Sequence, residues 1–265
     1  ALLQVRATEN EAHTKFWLGA RHGNRQHDTG LFHEGEALVN ARLVDNADAA
    51  ASDGNESRFN RTPVHVATGS DTSTGANLTA EVAVSGSSRI LVAWVAAWLG
   101  TGGVVSPSSV VFNGDEEMTL IATEANSNAG YIKMYVLNDP TAATANVVAT
   151  FAATSNTQQG LIASAYQYSD PVTTRYEELD TVATGTRTSV SIGFDTTKGD
   201  AVVFANFHVA NTASTPGGGL TERADITEAA LLGMASGDLI ADATSETPSF
   251  SFSNISCMAV GAVLN

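Results

Sequence analysis

From about residue 76 to its C-terminus the chain is written in short runs of Val, Ile, Phe, Tyr and Thr, separated by Gly, Asn, Asp, Ser and Pro. No other feature constrains the fold as much. Runs of this length and composition are β-strands, and their separators are turns. The strands expected on this basis cover 77–84, 89–98, 109–113, 118–123, 131–137, 145–152, 161–168, 187–194, 200–209, 228–235, 248–253 and 257–264. Alternation puts Val190, Ile192 and Phe194 on one face of "SVSIGF". It also puts Phe250 and Phe252 on one face of "SFSFS", with serines opposite. The stretch "EAALLGMASGDLIAD" tolerates a helix as well, but Gly233 and Gly237 favour strand and turn. The expected class is all-β: a two-sheet antiparallel β-sandwich, jelly-roll-like, since a long sandwich closed in this way protects its edges.

Residues 1–75 read differently. Four of the six histidines (His13, His22, His27, His33) fall within 21 residues of it, among Gly, Asn and Arg. Apolar residues come in small clusters: Phe16, Trp17 and Leu18, then Leu31 and Phe32, then Leu38 to Val44. The last cluster, in "EGEALVNARLVDNADAA", has the spacing of a short helix with Ala37, Leu38, Ala41 and Val44 on one side. "DNADAAASDGNES" and "ATGSDTSTGAN" are linker-like. Nothing here supplies an independent core, so residues 1–75 are expected to be an extended N-terminal arm, ordered by surfaces it does not itself provide. Residues 76–265 are expected to be the sandwich domain. "ALLQVRATENEAH" has no basic stretch leading into an apolar one, so no signal peptide is expected within it.

Charge narrows the partners. Residues 1–61 carry seven basic and nine acidic residues, a balance of −2, and the remainder carries six and 19, a balance of −13. A surface this acidic repels phosphate backbones, so no direct nucleic-acid contact is expected. No apolar run approaches the roughly 20 residues of a membrane-spanning helix. The single cysteine, Cys257 in "ISCMAVGAV", reads as a small core hydrophobe; with one cysteine there is neither an intrachain disulfide nor a cysteine-based zinc site.

Several stretches carry residue types that do chemistry. In "VVFNGDEEMTLI" Asp115, Glu116 and Glu117 are either an acid–base or metal cluster or the solvated tip of a hairpin. Asn113-Gly114 favours the hairpin, because both residues accept the positive φ of a tight turn. Calcium wants spaced oxygen ligands rather than three consecutive ones. The four histidines suit zinc or nickel chemically but match no ligand spacing, and polar contacts in an interface are the alternative. Asp45, Asp48, Asp53, Asn55 and Glu56 resemble a calcium loop without its spacing. His65 and His208 lie outside the histidine cluster, and no serine sits in a G-x-S-x-G elbow. "TPGGGLTE" lacks the lysine and the helix of a phosphate loop and reads as a loop tip. Trp94 and Trp98, four apart in one strand, share a face and belong to a core or an interface. With Tyr131, Tyr135, Tyr166, Tyr168 and Tyr176 they are the aromatics available to stack on a sugar. No catalytic residue, metal or cofactor is expected.

The order of the pieces resembles a family. Val111, Phe112, Asn113, Gly114, Met118 and Thr119 form a hairpin motif, followed by Met134, Tyr135, Leu137 and Pro140. Val147, Val148, Thr150 and Phe151 come next, then Ala163, Ser164 and Tyr166, then "TTKGDAVVFANFHV" and "SFSFS…CMAVGAVL". This succession is similar to a β-sandwich module of tailed-bacteriophage virion proteins, also seen in some secreted bacterial proteins. The turn "YSDPVTTRYEELD" departs from the module, so loop functions do not carry over. The resemblance covers residues 76–265 and implies a jelly-roll-like fold, a virion or cell-surface setting and no catalytic residues.

The expected function is a non-enzymatic virion structural protein, a capsid decoration or head-fibre subunit displayed outward and anchored by its arm. The expected partners are capsid or tail subunits, through Phe16, Trp17, Arg21, Arg25, Leu31 and Phe32, with further copies in a homo-oligomer, a trimer favoured. The alternative is a glycan-binding adhesin or receptor-binding module, on a virion or secreted to a cell surface, with host glycans as partners. A calcium-stabilised polysaccharide-active enzyme is a third reading.

Overall fold

A computed structural model describes the backbone of three strands between residues 2 and 32, and residues 62–265 apart from 75–76, 99–104, 127–129, 153–157, 170–175 and 229–231. The described chain is all-β, and every strand pairing is antiparallel. Residues 1–57 and 58–265 form separate units.

In the first unit β1 (Leu2–Asn10), β2 (His13–His22) and β3 (Arg25–Phe32) pair in sequence order as a meander. The helix expected near residues 34–50 and the linker at 45–57 lie outside the described residues.

The second unit opens with β4 (Val64–Ser73), β5 (Leu78–Val84), β6 (Ser88–Trp98), β7 (Pro107–Phe112) and β8 (Glu116–Glu117). It continues through β9 (Thr119–Asn126), β10 (Gly130–Asn138), β11 (Ala143–Phe151) and β12 (Gln158–Tyr168). These strands make a five-stranded sheet, β4-β12-β6-β10-β9, and a four-stranded sheet, β5-β11-β7-β8. Leu91, Ala93, Val95, Leu161 and Ala163 of the first sheet pack on Leu78, Val82, Phe112 and Val147 of the second. Both segments flanking the Asn113-Gly114 turn are strand, and both turn residues have positive φ (53° and 91°), as a tight hairpin demands.

The rest of the chain supplies β13 (Glu177–Ser191), β14 (Phe194–Asp195), β15 (Ala201–His208) and β16 (Thr215–Gly217). It ends with β17 (Thr221–Glu228), β18 (Leu232–Ile240), β19 (Ser245–Glu246) and β20 (Ser249–Leu264). The order in its large sheet is β13-β20-β15-β18-β17, with β16 on the start of β20 and a small β14-β19 pair beside it.

This order repeats the earlier one strand for strand: β13 stands for β4, β20 for β12, β15 for β6, β18 for β10 and β17 for β9. The register agrees. Trp94 is opposed by Met134 and Ile162, and its counterpart Ala205 by Ser236 and Val260. The closing turns match as well: Asp139 N–H donates to the Arg89 carbonyl at 2.9 Å, and Ala241 N–H to the Asp200 carbonyl at 2.8 Å. The counterparts Ile90/Ala201, Val92/Val203, Trp94/Ala205 and Ala96/Phe207 all lie in one core, between the two large sheets. Across that core β4 meets β17 as β9 meets β13, and β12 meets β18 as β10 meets β20. Each contact returns its own image when the repeats are exchanged, which is the mark of a two-fold, isologous packing.

The expected two-sheet sandwich is therefore doubled. The large sheets lie back to back, the four-stranded sheet covers one outer face, and Val190, Ile192, Phe194, Leu220 and Phe250 cover the other. The reason lies in the strands themselves: β12, β15 and β6 are buried along almost their whole length, Trp98 being only partly exposed. A strand apolar on both faces needs a layer on each.

Three local expectations change. The stretch 67–77, expected to be linker, is largely β4, paired along β12. The charged strand β17 has no counterpart in the expected set, and the ambiguous stretch is strand β18, from 232 rather than 228. The last two expected strands are one long strand, β20, whose register to β13 slips between Arg187 and Ser189.

Candidate functional site

Most polar side chains of the second unit lie in solvent, so a buried polar cluster there marks a site of consequence. One such cluster joins the repeats. Tyr166, on the inward face of β12, donates its hydroxyl to Asp238 Oδ2 at 2.9 Å. Asp238, inward on β18, also accepts Arg223 Nε on Oδ2 and Arg223 Nη2 on Oδ1, each at 2.8 Å. The Arg223 side chain keeps 28% exposure while Asp238 keeps 6%. His65 of β4 meets the Tyr166 ring edge-on at 5.5 Å. Its Nε2 lies 2.8 Å from Thr68 Oγ1, which lies 2.8 Å from Ser164 Oγ.

The electrostatics follow from burial. Desolvation, then the charge and hydrogen bond of Asp238, push the Tyr166 phenol well above its ordinary range. Tyr166 therefore stays neutral and serves as a donor. Desolvation, with the Arg223 charge, lowers His65. The Asp238 hydrogen bond holds Arg223 above its ordinary value. The Asp238 carboxylate meets three donors, the arrangement that makes a partly buried charge tolerable. The Tyr166–Asp238 hydrogen bond links β12 of one repeat to β18 of the other.

A second polar group lies at the far end of β15. His208 is fully buried, stacks on Phe252 at 4.7 Å and places Nε2 2.9 Å from the Thr212 carbonyl. Asn206 Nδ2 donates to Ser214 Oγ at 3.2 Å, and Asn206 Oδ1 accepts the Ala235 N–H. Asp225 Oδ2 accepts the Ser214 N–H at 2.8 Å, and burial lifts this carboxyl to about 6. The ring nitrogen His208 Nε2 is thus turned to the loop 209–214, which it helps to fold back.

The residues singled out in the sequence fall as follows. Asp115 and Glu117 are exposed at the hairpin tip. Glu116 instead accepts the Thr141 N–H and hydroxyl at 3.0 and 2.9 Å, pinning the hairpin to the turn before β11. Cys257 is buried in the core beside Ala259 and Phe204. Trp94 is fully buried, and Trp98 packs on the same inter-sheet core. Tyr131, Tyr135, Tyr166 and Tyr168 are also buried, so their rings offer no face to a sugar; Trp98 and Tyr176 remain partly exposed. Among the described residues no group of three or more His, Cys, Asp or Glu is placed to hold a metal ion. An open cleft of about 430 Å3 lies between Thr62, Val64, Gly86, Ser87 and Gln167, and no ionisable side chain other than Tyr168 lines it.

Asp45, Asp48, Asp53, Asn55 and Glu56 lie outside the described residues, as do the side chains of Phe16, Trp17, Arg21, Arg25, Leu31 and Phe32. For the last six the backbone register is known. Phe16 stands opposite Phe32, Trp17 opposite Leu31, Arg21 opposite Gln26 and His22 opposite Arg25. Directly opposed residues share a face. The six therefore divide into Phe16, Arg25 and Phe32 on one face and Trp17, Arg21 and Leu31 on the other.

Tyr166–Asp238–Arg223 was missed by sequence reasoning because its members are 15 to 72 residues apart. A signal existed: Asp238 interrupts the apolar run "LLGMASGDLI", where a charge has to find a buried partner. No family model matches the chain, and no curated protein or solved structure matches it.

Proposed function

We propose that the chain is a non-enzymatic structural protein of a tailed-phage virion, an outward-facing decoration or head-fibre subunit held to the particle by its N-terminal strands. The observation that carries this reading is the strand order. A sheet β4-β12-β6-β10 facing β5-β11-β7-β8 is compatible with the strand order of an eight-stranded jelly roll, and the large-sheet order recurs in β13-β20-β15-β18. Together with the hairpin motif from Val111 to Thr119, it supports the virion module that the sequence resembles. The interior suits rigidity: Tyr166, Asp238 and Arg223 bond one another across it, Asn206 bonds Ser214, and its buried aromatics fill cores. A scaffold of that kind suits a surface subunit that withstands solvent and protease. The acidic balance of residues 62–265 keeps such subunits from adhering to the packaged nucleic acid.

The test is to purify particles released from cells that carry the gene and to assay them for this chain by mass spectrometry. We expect a fixed stoichiometry to the major shell protein, and surface accessibility to antibody. A chain found free in the medium or on the cell wall, and missing from washed particles, overturns the proposal in favour of the adhesin.

A further inference from the structure

The hairpin tip between β7 and β8 holds two groups that can react with each other. Asn113 and Gly114 are both exposed. Among the described residues neither the Asn113 carboxamide nor the Gly114 N–H makes a hydrogen bond. The chain is held on either side of them: Asn113 N–H donates to the Asn146 carbonyl at 3.1 Å, and Glu116 accepts from Thr141. A Cβ on Gly114 would meet no atom within 4 Å, so the tip stands clear of its neighbours. No other asparagine of the chain precedes a glycine. Others are tied down: Asn206 is fully buried and bonded to Ser214 and Ala235, and Asn77 accepts the Phe151 N–H.

We propose that Asn113 is a site of self-modification in the folded chain, where the Gly114 amide nitrogen attacks Asn113 Cγ and closes a succinimide ring. The new N–Cγ bond replaces the Cγ–Nδ2 bond, and Nδ2 leaves as ammonia with the proton that Gly114 gives up. Water then adds to either ring carbonyl and reopens the ring, to an aspartate or an isoaspartate. One water enters, one ammonia leaves, and nothing is oxidised or reduced. Glycine permits the attack because no Cβ crowds the nitrogen. Closure breaks no hydrogen bond, and exposure supplies water and hydroxide. The Asp115 and Glu117 carboxylates oppose loss of the Gly114 proton, so the step quickens with pH and, through screening, with salt. Either product sets a further negative charge beside Asp115. The isoaspartate also adds a methylene to the backbone of a turn whose positive φ values suit an ordinary Asn-Gly pair. The result is a slow, irreversible change of charge and shape at one tip, whatever particle or surface carries the chain.

Peptide mapping by mass spectrometry tests this on the native full chain, held in mildly alkaline water enriched in heavy oxygen. We expect the peptide containing Asn113 to convert ahead of every other asparagine peptide, to take up a single heavy oxygen and to separate into two forms. Its rate in the folded chain should lie within about tenfold of that in urea-unfolded chain, since the tip does not hold the reacting groups apart. Gly114→Ala should slow conversion about tenfold or more, in the folded and the unfolded chain alike. Replacing Asp115 with Ser and Glu117 with Gln should hasten it several-fold at low salt and little at high salt. An Asn113 that stays intact in the folded chain while the unfolded chain loses it overturns the proposal. So does a Gly114→Ala chain that converts as fast as the parent, or a product without isoaspartate, either of which would mean direct hydrolysis and no ring.

Discussion

At the residue scale, Asp238 bears the most. Replacing it with Ala leaves Arg223 and the Tyr166 hydroxyl facing a partly buried gap. Losing one member of a buried pair costs roughly 3–5 kcal/mol, and the partial exposure of Arg223 reduces this to about 2–4 kcal/mol. Tyr166→Phe removes one hydrogen bond and should cost about 1 kcal/mol. Urea denaturation of the single and double variants should show strong coupling, because both act on one carboxylate. Ser236 presents the opposite case. Its hydroxyl is buried without a hydrogen-bond partner, so Ser236→Ala should raise stability by about 1 kcal/mol.

Acid acts on these residues in opposing directions. Burial, with Glu222 adding to it, lifts Asp225 from 3.8 to about 6. The folded chain then holds this proton more tightly than the unfolded one, so Asp225 costs stability above about pH 6 and the cost disappears below about pH 4. Asp225→Asn keeps an acceptor for the Ser214 N–H. It should melt above the parent at pH 8 and close to it near pH 4, as urea titrations at the two pH values will show. Desolvation lowers His65 and His208, so their contribution is full above 6.5 and is lost as pH falls below it.

At the element scale, the hairpin of residues 107–126 was legible because Asn113-Gly114 has one preferred geometry. Gly114 has φ 91°, and Gly114→Ala should cost about 1 kcal/mol in backbone strain alone, measurable by thermal denaturation, since a Cβ there meets no other atom. β4 and β17 were illegible for a shared reason. Both are edge strands, and edges are kept polar to discourage pairing with other chains, which erases the alternation a strand is recognised by. In β4 the glycine is a requirement of packing: a Cβ on Gly69 would sit 2.0 Å from the Glu81 carbonyl oxygen of β5. The alternating strands "SVSIGF" and "SFSFS" were read with their faces right, because one side of each meets solvent.

At the scale of the whole molecule, the repeat escaped notice because it resides in strand order and not in residue identity: Trp94 answers to Ala205, and Met134 to Ser236. The partial clue was the unbroken apolar character of "ILVAWVAAW" and "AVVFANF", which calls for layers on both sides. Of the candidate polar cluster only Asp238, a charge inside an apolar run, left a mark in the sequence; its partners are set only once β12 and β18 face each other. The back-to-back packing makes one cooperative body of the two repeats. Trp94→Ala, at its centre, should cost about 3–5 kcal/mol and destabilise β20 as much as β12. Hydrogen exchange of the full chain, followed by mass spectrometry, tests that cooperativity most directly. The slowest amides of β6 and β12 should exchange with the same opening free energy as those of β15 and β20, and Asp238→Ala should lower both equally. Slow exchange persisting in one repeat while the other opens, or a response to Asp238→Ala confined to β18 and its neighbours, would contradict the paired architecture.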